Sequence, residues 1–269
     1  MRQVSGCQAG SAIHRVLIAT GCLLAALSAA TLVHAGEPAL TTTVDVPLAA
    51  SESGEPPPEL RLRAIVARAL EDSVATWKKL IAADALEVGT VNVRFVTRLA
   101  PSNCFGLYTG DGPAYCSGNA TVFVGLDAAN HLLSRFGPDG EAGITFLIGH
   151  EVGHHIQNIF GRFQMQNAAV RWAPTSRTEF YRRFELEADC LAGVWIQASD
   201  AWAKSDRFRS EMRSVVGSIG DDSLLGRAPG ATDPALGIHG TSEQRVRWFE
   251  RGVMSGELKA CNTFAAATL

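Results

Sequence analysis

The apolar positions along the chain change period several times, and each period predicts a different element. Val16 to Val33 carries no charge, follows Arg2 and Arg15, and ends in Val33-His34-Ala35, the pattern of an export segment over residues 1–35. Cleavage would fall after Ala35. The alternatives are an uncleaved anchor, the run being at the lower limit for crossing a bilayer, or a lipoprotein site at Ala19-Thr20-Gly21-Cys22. Residues 36–59, with Pro56-Pro57-Pro58, are too polar to bury much and suit a flexible spacer. From Leu60 to Leu86 the apolar residues Leu62, Ile65, Val66, Ala69, Leu70, Val74 and Trp77 recur at helical spacing. Val91 to Val96 and Ala120 to Leu126 alternate as strands, with a Gly-rich loop from Cys104 to Cys116 between them. A helix is expected from Pro138-Asp139 to Gly161, a second from Ser176 to Trp202, and a last from Thr241 to Gly252. Thr241 and Gln244 have the spacing of a capping box.

Length and charge narrow the picture. The 269 residues, 46% of them hydrophobic, suffice for one filled core, placed here over residues 60–269. The net charge of -3 supplies no basic face, so nucleic acid is not an expected partner. Membrane association could come through residues 16–33, and oligomeric state is not readable. Removing the export segment takes Cys7 and Cys22 from the six cysteines and leaves Cys104, Cys116, Cys190 and Cys261, an even set in a compartment where disulfides persist. Three pairings are open; Cys104 with Cys116 would close a short loop, and Cys190 with Cys261 would tie the tail to a helix. A free, buried Cys190 is the alternative.

The helix expected from Pro138-Asp139 to Gly161 contains His150-Glu151-Val152-Gly153-His154. Four residues advance a helix by roughly 40°, so both imidazoles leave one face about 6 Å apart and converge on a zinc ion. Glu151 stands beside them as the general base. The apolar surroundings argue against a solvated histidine face, and buried imidazoles without a ligand are costly. A catalytic site needs a third protein ligand and an open position, and Glu185-Leu186-Glu187-Ala188-Asp189 offers it: Glu185 to the metal, Asp189 one turn on to the second ring N–H of a ligating histidine. Glu187 is expected to face solvent, and His155, about 100° round the helix from His154, to support the site or the fold. Gly149 and Gly153 each weaken their helix by roughly 1 kcal/mol, which close packing against Ala188 and Ala192 would offset. His131 is expected to be an ordinary histidine, and at least one of Arg245 and Arg247 a surface charge. Asp221-Asp222 reads as a turn outside the site. His239 precedes a helix N-terminus, where a neutral ring could donate to an oxyanion; an ordinary loop histidine is the other reading.

The strings at 150–157, 185–195, 219–222 and 239–249 together resemble the neutral zinc metallopeptidases of bacteria over about residues 60–264. Glu185 in Glu-x-x-Ala-Asp is also similar to the zinc-binding Glu of the membrane-linked zincins that include the CAAX-processing proteases, which have a comparable late His and Arg, here His239 and Arg245. The resemblance implies a zincin-like α+β fold, mainly helical with a small sheet, and an edge strand beside the metal-site helix. The expected activity is zinc-dependent hydrolysis of peptide bonds, with one Zn2+ per chain, a protein or peptide substrate, and a secreted, periplasmic or membrane-anchored location. The alternatives are an inactive zinc-binding scaffold and an envelope assembly factor of the same fold.

Overall fold

The computed structural model describes residues 58–84, 86–96, 112–136, 140–165, 177–203, 205–224, 226 and 237–269; the segments expected to be an export signal (1–35) and a spacer (to residue 57), Cys104 and Asp139 lie outside them. The elements are helix α1 (Pro58–Leu80), strands β1 (Asn92–Val96), β2 (Ala114–Cys116) and β3 (Thr121–Gly125), then helices α2 (Leu126–Phe136), α3 (Gly140–Ile159), α4 (Arg177–Ala198), α5 (Asp206–Ser218), α6 (Asp221–Leu224) and α7 (Ser242–Ser255). The fold is α+β, mostly helical with a three-stranded sheet ordered β1-β3-β2. β1 runs parallel to β3, with Val93 opposite Val122, and β2 antiparallel, with Tyr115 opposite Val122. β2 is therefore an edge strand, and it packs beside α3.

α3 lies at the centre, touching α1, α2, α4 and α5, and its buried residues include His150, Glu151, His154, His155 and Gln157. Around it the core is built from Trp77, Phe146, Trp195 and Phe249, all fully buried. The indole of Trp195 donates to Asp72 Oδ2 at 2.7 Å, joining α4 to α1. The small-residue packing expected from the sequence is present. A Cβ on Gly153 would lie 3.0 Å from the Ala188 carbonyl oxygen and 3.2 Å from its Cα, and one on Gly149 would run into the Trp195 ring.

Several boundaries differ from expectation. α1 tightens into a 3-10 turn at Ala82–Asp84 instead of reaching Leu86. α4 stops at Ala198, because the Ser199 hydroxyl accepts from the backbone N–H groups of Ala201 and Trp202 and redirects the chain. α7 has the expected Thr241–Gln244 capping box but runs past Gly252 to Ser255, where Gly256 at φ +61° makes the left-handed cap. Gly252 is interior because α7 meets α4 there: a Cβ on it would collide with the Cys190 carbonyl, and one on Gly193 with the Phe249 carbonyl. β2, α2 and α5 lie in segments not assigned to elements. His131 is an exposed residue of α2.

The tail is tied down by the Cys190–Cys261 disulfide, with Cα atoms 5.4 Å apart, so Cys190 is not a free thiol. Cys116 is also disulfide-bonded; its partner lies outside the described residues. Among the described residues no helix is long and apolar enough to cross a membrane.

Candidate metal centre

The two imidazoles of α3 and one carboxylate of α4 meet at the floor of a cleft. One ligand atom each from His150, His154 and Glu185 lie within 4.8 Å of one another. Glu185 Oε2 is 3.1 Å from His150 Nε2 and 3.4 Å from His154 Nε2. The opposite ring nitrogens are committed. His150 Nδ1 lies 2.8 Å from Asp189 Oδ1, and His154 Nδ1 lies 2.7 Å from Gln157 Oε1. Both acceptors hold a proton on Nδ1, so both Nε2 atoms face the Glu185 carboxylate, protonated toward it in the metal-free chain and bare for a metal once that proton is lost. Two imidazole nitrogens and one carboxylate oxygen, open on one side to a cleft, form a donor set that suits zinc in a catalytic rather than a closed structural site.

Each supporting group is itself held. Asp189 is fully buried and takes Arg245 Nε at 2.9 Å on Oδ2 and Arg245 Nη2 at 2.8 Å on Oδ1. Arg245 is thus a buried partner of the site, while Arg247 is half exposed. Gln157 donates to the Phe184 carbonyl at 2.8 Å and to Glu187 Oε2 at 2.9 Å. Glu187 does not face solvent: it is buried and bonded by Arg162, because α3 and the residues after it cover that side of α4. His155 is turned from the metal ligands. Its Nδ1 lies 2.8 Å from the Tyr115 hydroxyl and its Nε2 donates to the Val88 carbonyl, so it fastens α3 to the sheet. The Phe184 ring stacks on His154 with centroids 5.0 Å apart.

Burial works against charge at all these groups, and their neighbours decide the outcome. Desolvation lowers His150, but hydrogen bonds to Asp189 and Glu185 outweigh it and push the ring up to about 10. Desolvation raises Glu185, yet His154 and His150 bring it well below the usual carboxylate range. Asp189 stays low against its burial chiefly through Arg245. Glu151 is raised, burial outweighing the two histidines and a hydrogen bond from the Tyr115 backbone N–H of the edge strand. Glu151 and the three ligands share a cleft of about 260 Å³ with Tyr115, Phe163, Tyr181, Phe184, Ile238 and His239.

Asp221, read from sequence as part of an outlying turn, lies next to this cleft. Its Oδ2 accepts the backbone N–H groups of His239 at 3.0 Å and Gly240 at 2.8 Å, and its Oδ1 is 3.3 Å from His239 Nδ1. A neutral His239 uses its single ring proton on that carboxylate, so the neutral-donor form expected from the helix start is not the one this arrangement supports. Gln157 could have been found from its place one turn beyond His154. Asp221 carried no such signal, being 18 positions from its histidine.

A helix carrying His-Glu-x-x-His, a carboxylate from a second helix and an adjoining edge strand define a zincin-like metal centre on an α+β scaffold. The chain belongs to the family described as "Putative neutral zinc metallopeptidase", which it matches over residues 4–264. The match therefore extends beyond the expected span of about residues 60–264 into the N-terminal residues. The chain is 38% identical over 161 residues to the uncharacterized protein YpfJ of Escherichia coli K12, covering 57% of this chain and 54% of that one. It is 28% identical over 207 residues to the uncharacterized protein Rv2575 of Mycobacterium tuberculosis H37Rv, covering 72% of this chain and 68% of that one. The chain thus spans about half the length of the Escherichia coli relative. No solved structure matches it.

Proposed function

We propose that the protein is a zinc-dependent peptidase, in which His150, His154 and Glu185 hold one zinc ion and Glu151 is the general base. The observation that carries the reading is the placement of Glu151, buried and lining the same cleft as the three proposed ligands. A purely structural zinc site has no use for a basic carboxylate beside an open position. When bound there, zinc acts as a Lewis acid that makes a water molecule acidic enough to react near neutral pH and polarises a scissile carbonyl. Asp189 and Gln157 keep both histidines with Nε2 free for the ion. Glu151, held by the Tyr115 backbone N–H, takes the proton of the attacking water and returns it to the leaving amine. The aromatic side chains of Tyr115, Phe163, Tyr181 and Phe184 in the cleft lining suit a peptide or protein substrate. The disulfide at Cys190–Cys261 and the apolar run at 16–33 support an extracytoplasmic location.

Glu151→Gln tests the reading. Zinc content of the purified chain should stay near one per chain while hydrolysis of a labelled protein such as casein falls by at least about 100-fold. Full activity in the variant would end the peptidase assignment. Zinc retention with no hydrolysis in either form would favour the scaffold alternative.

A further inference from the structure

The turn before α6 and the segment leading into α7 clasp each other. Asp221 N–H donates to the Gly240 carbonyl at 2.9 Å, while the Asp221 carboxylate accepts the backbone N–H groups of His239 and Gly240. A Cβ on Gly220 would collide with Ser242. Arg245 reaches back to the Ile219 carbonyl at 3.1 Å, so the residue that holds Asp189 under His150 also holds this turn. Asp221 is buried, and three donors converge on its carboxylate, the third being His239 Nδ1. An ionised carboxylate only accepts, so Nδ1 carries the proton in that contact. The ring's other nitrogen, Nε2, is then the one left for the cleft, which His239 lines together with His150 and Glu185.

We propose that Asp221 is the positioning residue of His239, fixing the orientation and tautomer of its ring so that Nε2 serves the cleft. The kinetic consequence rests on the peptidase reading: with Nδ1 anchored on Asp221, the ring presents Nε2 to the reacting peptide at a fixed place, and releasing the anchor costs that placement. Asparagine at 221 reverses the arrangement. Its carbonyl oxygen keeps the two backbone donors, its amide NH2 faces His239 Nδ1, and the proton of a neutral ring moves to Nε2.

The test needs no activity. Long-range proton–nitrogen correlation spectra of the full zinc-loaded chain, labelled with nitrogen-15 histidine and assigned by difference against His239→Phe, report which ring nitrogen is protonated. The neutral ring is expected as Nδ1–H in the wild type and Nε2–H in Asp221→Asn. A wild-type Nε2–H tautomer overturns the proposal even if the variant fails to fold, and so does an unchanged tautomer in a folded variant. On a cleaved fluorogenic peptide, Asp221→Asn should lower kcat about tenfold with KM unchanged, and adding it to His239→Phe should cost nothing more. Additive losses would show that Asp221 acts apart from His239. If the wild type cleaves no faster than Glu151→Gln, the peptidase reading fails while the tautomer still decides the role of Asp221.

Discussion

The two histidines of the candidate metal site are supported unequally. His150 leans on a carboxylate that is itself gripped by Arg245, whereas His154 leans on a neutral amide that passes the contact on to Glu187 and Arg162. In the metal-free chain this makes the site a set of charges held by one another. His150, raised to about 10 by Asp189 and Glu185 against its own desolvation, contributes stability that is fully present below its ordinary value near 6.5 and is lost as pH climbs toward about 10. Glu185 and Asp189 are lowered, so their contribution is present above their ordinary values near 4 and is lost on acidification. Zinc bound as proposed would reverse the histidine side of this balance, because it needs both Nε2 lone pairs and competes with protons for them. The rise in Tm on adding zinc, relative to a chelator-treated sample, should therefore grow between about pH 6 and pH 8, while the metal-free Tm falls. A zinc increment that shrinks over that range would contradict this assignment of the ligands.

At the scale of elements, the site depends on how closely α4 can approach both α3 and α7. Gly153 lets α3 lie against the backbone of Ala188, three residues beyond Glu185, and Gly193 and Gly252 do the same for α4 and α7. The second approach brings Arg245 to Asp189. Gly252→Ala should therefore push the two backbones apart and destabilise the chain by about 2–4 kcal/mol, far more than the stabilisation alanine usually brings to a helix interior. Urea unfolding followed by tryptophan fluorescence would measure it; a neutral or stabilising result would mean that the contact is looser than it looks. β2 acts on the other side of the cleft, its Tyr115 supplying a backbone N–H to Glu151 and a hydroxyl to His155.

Over the whole molecule, the disulfide joins α4 to the tail across 71 residues, and the tail returns the contact through Thr263 Oγ1, which donates to the Arg183 carbonyl at 2.7 Å. Closing a loop of that length lowers the entropy of the unfolded chain by an amount worth about 4 kcal/mol, and Cys190→Ala with Cys261→Ala should lose about that much in denaturant unfolding. A loss under about 1 kcal/mol would show that packing alone holds the tail. Much of this protein could be read along the chain. The metal-site helix, its His-Glu-x-x-His spacing, the Glu185 and Asp189 pair, the small-residue strips and the Thr241 cap all depend on residues within one or two helical turns, where the backbone geometry is known in advance. α5 was also within reach, since Ser205 caps it by accepting from Phe208 N–H and Met212, Val215 and Val216 follow at helical spacing. What only the tertiary structure decided were the partners met at a distance: Arg245 under Asp189, Glu187 turned inward, Asp221 behind His239, Gly252 as a contact instead of a stop. Short-range periodicity specifies which face of a helix is buried, but the partner of a buried charge depends on which elements pack together, and that is a property of the assembled core.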